Sequence, residues 1–146
     1  MALLTLILDA GKAAIAALVF ATISGNEVIG ILSGVSAILG HNYPIWLKFK
    51  GGKGVAATLG LMIAMTPLVG VLTALTWLLM AFTFRYSSLS ALTALALAPI
   101  YALFFETPIV SLIYLGLTLL SYYRHKENIK RILKGEESKI KLKRKA

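Results

Sequence analysis

From Ala2 to Tyr123 apolar segments follow one another with only short polar interruptions, a pattern that leaves the chain no aqueous face to offer. The 146 residues are 58% hydrophobic and 14% charged, against roughly 45–50% apolar and about 25% charged in an ordinary soluble domain. A soluble domain of this length could bury a modest core, but several long apolar runs would stay outside it. The pattern specifies an all-α integral membrane protein.

A helix needs about 20 residues to cross roughly 30 Å of hydrocarbon, and shorter ones survive when tilted or enclosed in a bundle. Six candidate spans emerge: Ala2 to Ile23, Val28 to Gly40, Val55 to Met65, Leu68 to Phe84, Ser88 to Phe105 and Pro108 to Tyr123. Threaded in order, they place Glu27 and Glu106 in turns on one side. The loop from His41 to Gly54, the turn at Arg85 and the tail from Arg124 fall on the other. Of the 15 Lys and Arg residues, all but Lys12 lie on that second side, which the positive-inside rule makes cytoplasmic. The expected organisation is a transmembrane domain over 1–123 and a basic cytoplasmic segment over 124–146. A secretory signal peptide fits the first segment poorly, because no basic region precedes it and Asp9 and Lys12 interrupt it. The net charge of +9 would suggest nucleic acid in a soluble protein; here it belongs to the membrane face, and no nucleic-acid partner is expected.

Chain chemistry concentrates at that face. Cysteine is absent, which removes thiolate nucleophiles and thiolate metal sites. The run Lys48-Phe49-Lys50-Gly51-Gly52-Lys53-Gly54-Val55 combines three lysines with three glycines at the start of a helix. Backbone N–H groups, the positive end of that helix and ammonium groups can there converge on an anion, most naturally a phosphate. A plain connecting loop would also satisfy the positive-inside rule, but it has little use for Gly51, Gly52 and Gly54. The run is not a nucleotide P-loop, since Gly54 stands where Ser or Thr is required.

Two further clusters share the face. His125 and Asn128 lie three apart, on one side of a helix if the last span continues, and Ile129, Ile132 and Leu133 give that continuation an apolar stripe. For Lys139 to Lys145, anchoring to anionic lipid is the expected role. The chain holds two histidines, His41 and His125, and the topology brings both to this side. Arg85 and Ser88, at the remaining cytoplasmic turn, could add donors to the same anion, although interfacial snorkelling accounts for the arginine equally well. Within the first span Asp9 and Lys12 are spaced to pair on one helix face. Ionisable groups at that depth are costly, so the pair is expected to face the bundle or a polar cavity, either as a structural ion pair or in a functional role.

The motifs Gly40-His41-x-x-Pro44, Phe49-Lys50-Gly51-Gly52-Lys53-Gly54-Val55-Ala56, Arg85-Tyr86-x-Ser88-Leu89 and Arg124-His125-x-Glu127-Asn128-Ile129-x-Arg131, with Gly135-x-Glu137, occur in that order. In combination they closely resemble the bacterial acyl-phosphate:glycerol-3-phosphate acyltransferases, the PlsY family. The resemblance implies an inner-membrane enzyme that moves a fatty acyl group from acyl phosphate to the 1-hydroxyl of glycerol 3-phosphate, giving lysophosphatidate for phospholipid synthesis, with no cofactor and no metal. It implies catalytic or pocket roles for Lys53, His125, Asn128 and His41, and phosphate binding by Lys50, Gly51, Gly52, Lys53, Gly54, Arg85 and Ser88. Members of the family begin with a further span and a loop of the form Ser-Gly-Asn-x-Gly-x-x-Asn, so the resemblance implies an intact enzyme starting one span and one motif earlier. Ala57 replaces the threonine usual after Val-Ala, and Ala91 stands where some relatives carry serine. A small anion or lipid transporter is the competing class. It would want polar residues along several spans near the midplane, where only Asp9 and Lys12 approach that description. A non-catalytic remnant that still folds is a third reading.

Overall fold

The computed structural model describes residues 2–48 and 51–141. Its described residues form seven helices: α1 (Ala2–Ser24), α2 (Glu27–Asn42), α3 (Val55–Met65), α4 (Pro67–Phe84), α5 (Ser87–Phe105), α6 (Pro108–Arg124) and α7 (Lys126–Leu133), with one 3₁₀ turn at Ile45–Leu47. The expected segments hold to within two residues at each end. Four stretches are long and apolar enough to cross a membrane: Ala2–Ser24, Glu27–Leu47, Pro67–Phe84 and Ser87–Phe105, with Val55–Met65 a shorter apolar helix.

The helix boundaries follow local chemistry. Asn26 caps α2, its Oδ1 accepting from the N–H groups of Val28 at 2.9 Å and Ile29 at 3.3 Å. Pro67 and Pro108 open α4 and α6, where a missing N–H costs nothing. The expected continuation of α6 into the tail is interrupted: His125 ends one helix and starts the next, its N–H shared between the carbonyls of Ser121 at 2.9 Å and Tyr122 at 3.2 Å. That bend turns α7 back towards α5.

Burial is inverted relative to a soluble protein. Leu79, Phe82 and Phe104 are 68%, 71% and 79% exposed, whereas Thr66, Thr73, Ser90 and Thr118 are buried. An apolar exterior around a core that admits hydroxyls is what a hydrocarbon solvent selects. The helices meet through small residues. α1 lies against α2 and α3 with Ala13 and Ala17 fully buried, and a Cβ placed on Gly60 of α3 would run into the backbone of Ala10. Hydroxyls tie the remaining helices: Thr66 to Tyr114 at 2.6 Å and Thr76 to Tyr101 at 2.6 Å. Pro99 sits inside α5 and has no N–H to give Leu95 four residues earlier. Thr118 of α6 supplies the missing donor, its hydroxyl 2.5 Å from the Leu95 carbonyl.

At the end of the bundle opposite the glycine loop, burial and then the nearby charge of Glu27 push the Glu106 carboxyl above its ordinary value.

Candidate active site

A cavity of about 730 Å³ opens at the end of the bundle where α2 stops and α3 and α5 begin. Its polar wall comprises Asp9, His41, Gly52, Lys53, Gly54, Ser87, Ser88, His125, Asn128, Glu137 and Ser138, and its apolar wall includes Leu6, Leu59, Ala74, Trp77 and Leu78. Residues far apart in the chain are thus brought to one place. Most of the candidate residues read from the sequence are among them.

The glycine loop is held from outside the cavity. One Nη of Arg124 donates to the carbonyls of Gly51 and Gly52, both at 3.0 Å, while its guanidinium lies over the Tyr43 ring at 4.7 Å. Because a trans peptide sets N–H opposite C=O, the N–H groups of Gly52 and Lys53 face away from Arg124. Gly51 is wedged so that a Cβ would strike the carbonyls of His41 and Asn42, and a Cβ on Gly52 would strike Nε2 of His41. Gly54 adopts φ 77°, a left-handed conformation, and starts α3 with no side-chain cap. The first N–H groups of α3 therefore open onto the cavity beside Lys53. α5 presents a second N-terminus in the same way: Tyr86 gives no side-chain cap, Ser87 and Ser88 line the wall, and Ser88 Oγ is buried without a hydrogen-bond partner among the described residues.

Lys53 donates to Oδ1 of Asn128, and the Asn128 amide donates from Nδ2 to Glu137 at 3.3 Å. Glu137 in turn accepts from Arg131 at 3.2 Å. Burial, then the charge of Arg131, push the Lys53 ammonium below its ordinary value. His125 is 3% exposed. Burial lowers its imidazole from the ordinary value, opposed by its hydrogen bond to Ser121 and reinforced by Lys53. Nδ1 donates to the Ser121 carbonyl at 2.8 Å, which leaves Nε2 as the bare nitrogen. Because the folded value lies below 6.5, the contribution of this neutral histidine to stability is full above pH 6.5 and is lost as pH falls towards the folded value. In the purified protein, each pH unit in that interval is expected to remove up to about 1.4 kcal/mol of stability. The difference between thermal unfolding curves of the wild type and His125→Gln, taken from pH 7.5 to 5, reads it directly.

The Asp9–Lys12 pair forms at 2.8 Å. Asp9 also lines the cavity, and the pair extends to His41, whose Nδ1 lies 3.1 Å from Lys12 and 3.6 Å from Asp9. A second hollow of about 510 Å³, lined by Lys12, Trp46 and Gly51 among others, shares Asp9, His41 and Gly52 with the first.

Arg85 stands apart from the other candidates. Its backbone is left-handed at φ 61°, one Nη donates to the Ile140 carbonyl at 3.0 Å, and its own carbonyl accepts from the Ile140 N–H at 2.6 Å. The guanidinium, expected to meet phosphate, here fastens the returning C-terminal segment through that Nη, and Arg85 is not among the residues lining the cavity. Lys50 lies outside the described residues. Two contributors have no role that the sequence assigns: Arg124, a motif position at the start of the basic tail, and Glu137, a motif position after it. The motif order pointed to both.

The same sequence pattern and fold recur in known proteins. The family model for glycerol-3-phosphate acyltransferase matches residues 1–135. The chain is 54% identical over 153 aligned residues to the glycerol-3-phosphate acyltransferase of Rhodospirillum rubrum, covering all of this chain and 71% of that protein. It is 49% identical over 140 residues to that of Paramagnetospirillum magneticum, covering 96% and 69%. Two crystal structures of PlsY (YgiH), an integral membrane glycerol 3-phosphate acyltransferase, superpose with TM-score 0.86: the lysophosphatidic acid form at 34% identity, covering 94% of this chain and 71% of that one, and the glycerol 3-phosphate form at 33%, covering 95% and 70%. A helical membrane bundle with a polar cavity at one end defines the class, and the chain belongs to the glycerol-3-phosphate acyltransferase family.

Proposed function

We propose that this protein transfers a fatty acyl group from an acyl phosphate to the 1-hydroxyl of sn-glycerol 3-phosphate, giving lysophosphatidate and inorganic phosphate. The observation that carries this reading is the single cavity in which Lys53 and two uncapped helix N-termini face an apolar wall of Leu59, Ala74, Trp77 and Leu78. Anionic head groups suit the first part, and an acyl chain suits the second. Both bound crystal forms of the structural relative are in keeping with it.

An acyl phosphate is already activated, so positioning and charge stabilisation supply most of what the reaction needs. The glycerol hydroxyl oxygen attacks the carbonyl carbon, the carbon–oxygen bond to the phosphoryl group breaks, and the hydroxyl proton ends on the departing phosphate. Lys53, the N–H groups of Gly52 and Lys53 and the hydroxyl of Ser88 hold the anionic oxygens. Asn128 places Lys53, while His125 and His41 contact the reacting groups. Six spans, of which α3 and α6 are the shorter, a C-terminus in the cytoplasm and a bacterial inner-membrane location complete the reading, and the charge distribution supports it. Residues 1–123 form the membrane domain, and 124–146 the basic cytoplasmic segment that meets membrane lipid.

Purified protein in lipid nanodiscs, given acyl phosphate and glycerol 3-phosphate, is expected to form lysophosphatidate and release phosphate, unaffected by chelators. Acyl-CoA in place of acyl phosphate should give no product. A folded protein without turnover would support a non-catalytic remnant instead.

A further inference from the structure

We propose that Lys12 is a positioning residue of the cavity: by donating to Nδ1 of His41 it fixes that imidazole as the Nε2–H tautomer, so that His41 offers a hydrogen-bond donor where His125 offers a bare nitrogen. The contribution to turnover rests on the acyl-transfer reading above; the tautomers themselves do not.

The argument starts from what an ammonium can do. Lys12 Nζ has three donors and no acceptor, and its 2.8 Å contact with Asp9 marks it as the charged form. At 3.1 Å from His41 Nδ1, it requires that nitrogen to accept. A protonated imidazole would set N–H against N–H, and the Nδ1–H tautomer would do the same. The remaining form is neutral, with its proton on Nε2. Asp9 lies 3.6 Å from the same nitrogen and, left alone, would attract the opposite tautomer. The ammonium decides between them.

On the other edge of the ring, Nε2 stands against Gly52 so closely that a Cβ there would collide with it, and both residues belong to the cavity wall. The N–H fixed by Lys12 therefore lies among the loop's own donors. His125 reaches the opposite state by an independent route: the Ser121 carbonyl 2.8 Å from its Nδ1 can only accept, and the Ser121 hydroxyl, farther from the same nitrogen at 3.3 Å, can accept as well. One imidazole thus supplies a donor, suited to a phosphoryl oxygen or to the carbonyl oxygen as charge develops on it. The other supplies an acceptor, suited to the incoming hydroxyl. This also gives a reason for keeping an ion pair on an apolar helix, where ionisable groups are costly: its ammonium faces a site that uses it.

The chain holds two histidines, so ¹⁵N-histidine labelling of the full chain in nanodiscs yields two imidazoles, assigned with His41→Gln. At pH 8 the two-bond nitrogen–proton pattern is expected to show His41 protonated on Nε2 and His125 on Nδ1. In Lys12→Met, His41 should invert to the Nδ1–H form, turned towards Asp9, with His125 unchanged, and kcat should fall about 10–100-fold. Lys12→Arg should restore both the Nε2–H pattern and most of kcat. A wild type with the same tautomer at both histidines overturns the proposal, and so does Lys12→Met with an unaltered His41 or an unaltered kcat. Should Lys12→Met fail to fold, the wild-type spectrum and Lys12→Arg still decide it. A wild type that shows the expected tautomers without acyl transfer would overturn the enzymatic reading and leave the tautomer assignment standing.

Discussion

Lys53→Met is expected to lower kcat/KM for acyl transfer by about 10²–10³-fold while the protein remains folded. The ammonium is held by Asn128 at the mouth of α3, next to N–H groups that have no partner within the helix. In the proposed reaction two anionic substrates occupy this cavity together, and the transition state adds charge on the carbonyl oxygen and the departing phosphate. Methionine keeps the length of the side chain and removes the charge that meets all of these. Steady-state rates with each substrate varied, beside thermal unfolding of the same preparation, separate loss of chemistry from loss of fold. Lys130→Met serves as the control, since Lys130 is exposed and among the described residues pairs only with Glu127 at 3.5 Å. A Lys53→Met enzyme within tenfold of wild type would remove the lysine from the centre of the mechanism.

Arg124→Ala is expected to raise KM for glycerol 3-phosphate by about 10–100-fold with a smaller change in kcat. Arg124 does not line the cavity. It holds the carbonyls of Gly51 and Gly52 and stacks on Tyr43, and in doing so turns the loop's N–H groups the other way. Without it, the two peptide planes are free to rotate and the donors lose their direction, which weakens binding in ground and transition states alike. Arg124→Lys should recover little, because an ammonium cannot reproduce the planar stack together with the paired carbonyl contacts. Michaelis constants for both variants test this, and an unchanged KM in Arg124→Ala would show that the loop keeps its shape unaided.

The architecture was legible because a membrane simplifies the problem. Apolar runs between Asn26, Pro67 and Pro108 set the helices, and the glycine loop advertised itself by glycines that a connector would not need. What escaped was pairing across sequence distance. Nothing local to Arg85 says that its guanidinium is taken by the backbone at Ile140, and nothing near Arg124 says that it reaches Gly51. Such partners depend on where helices end up, and a charge looks the same in a list of cations whether it faces substrate or fastens a loop. The break at His125 was hidden for a related reason. Its apolar spacing suits a continuous helix, and the turn is made by backbone bonds to Ser121 and Tyr122.

The hydroxyl of Thr118 that completes the hydrogen bonding of the Leu95 carbonyl has a bearing on how the chain is made. When α5 leaves the ribosome it carries Pro99 and one carbonyl with no donor in its own helix, a poor state in which to meet lipid alone. The donor arrives 23 residues later, on the next helix. In the folded bundle α5 and α6 are therefore one hydrogen-bonded hairpin, in which the second helix finishes the first.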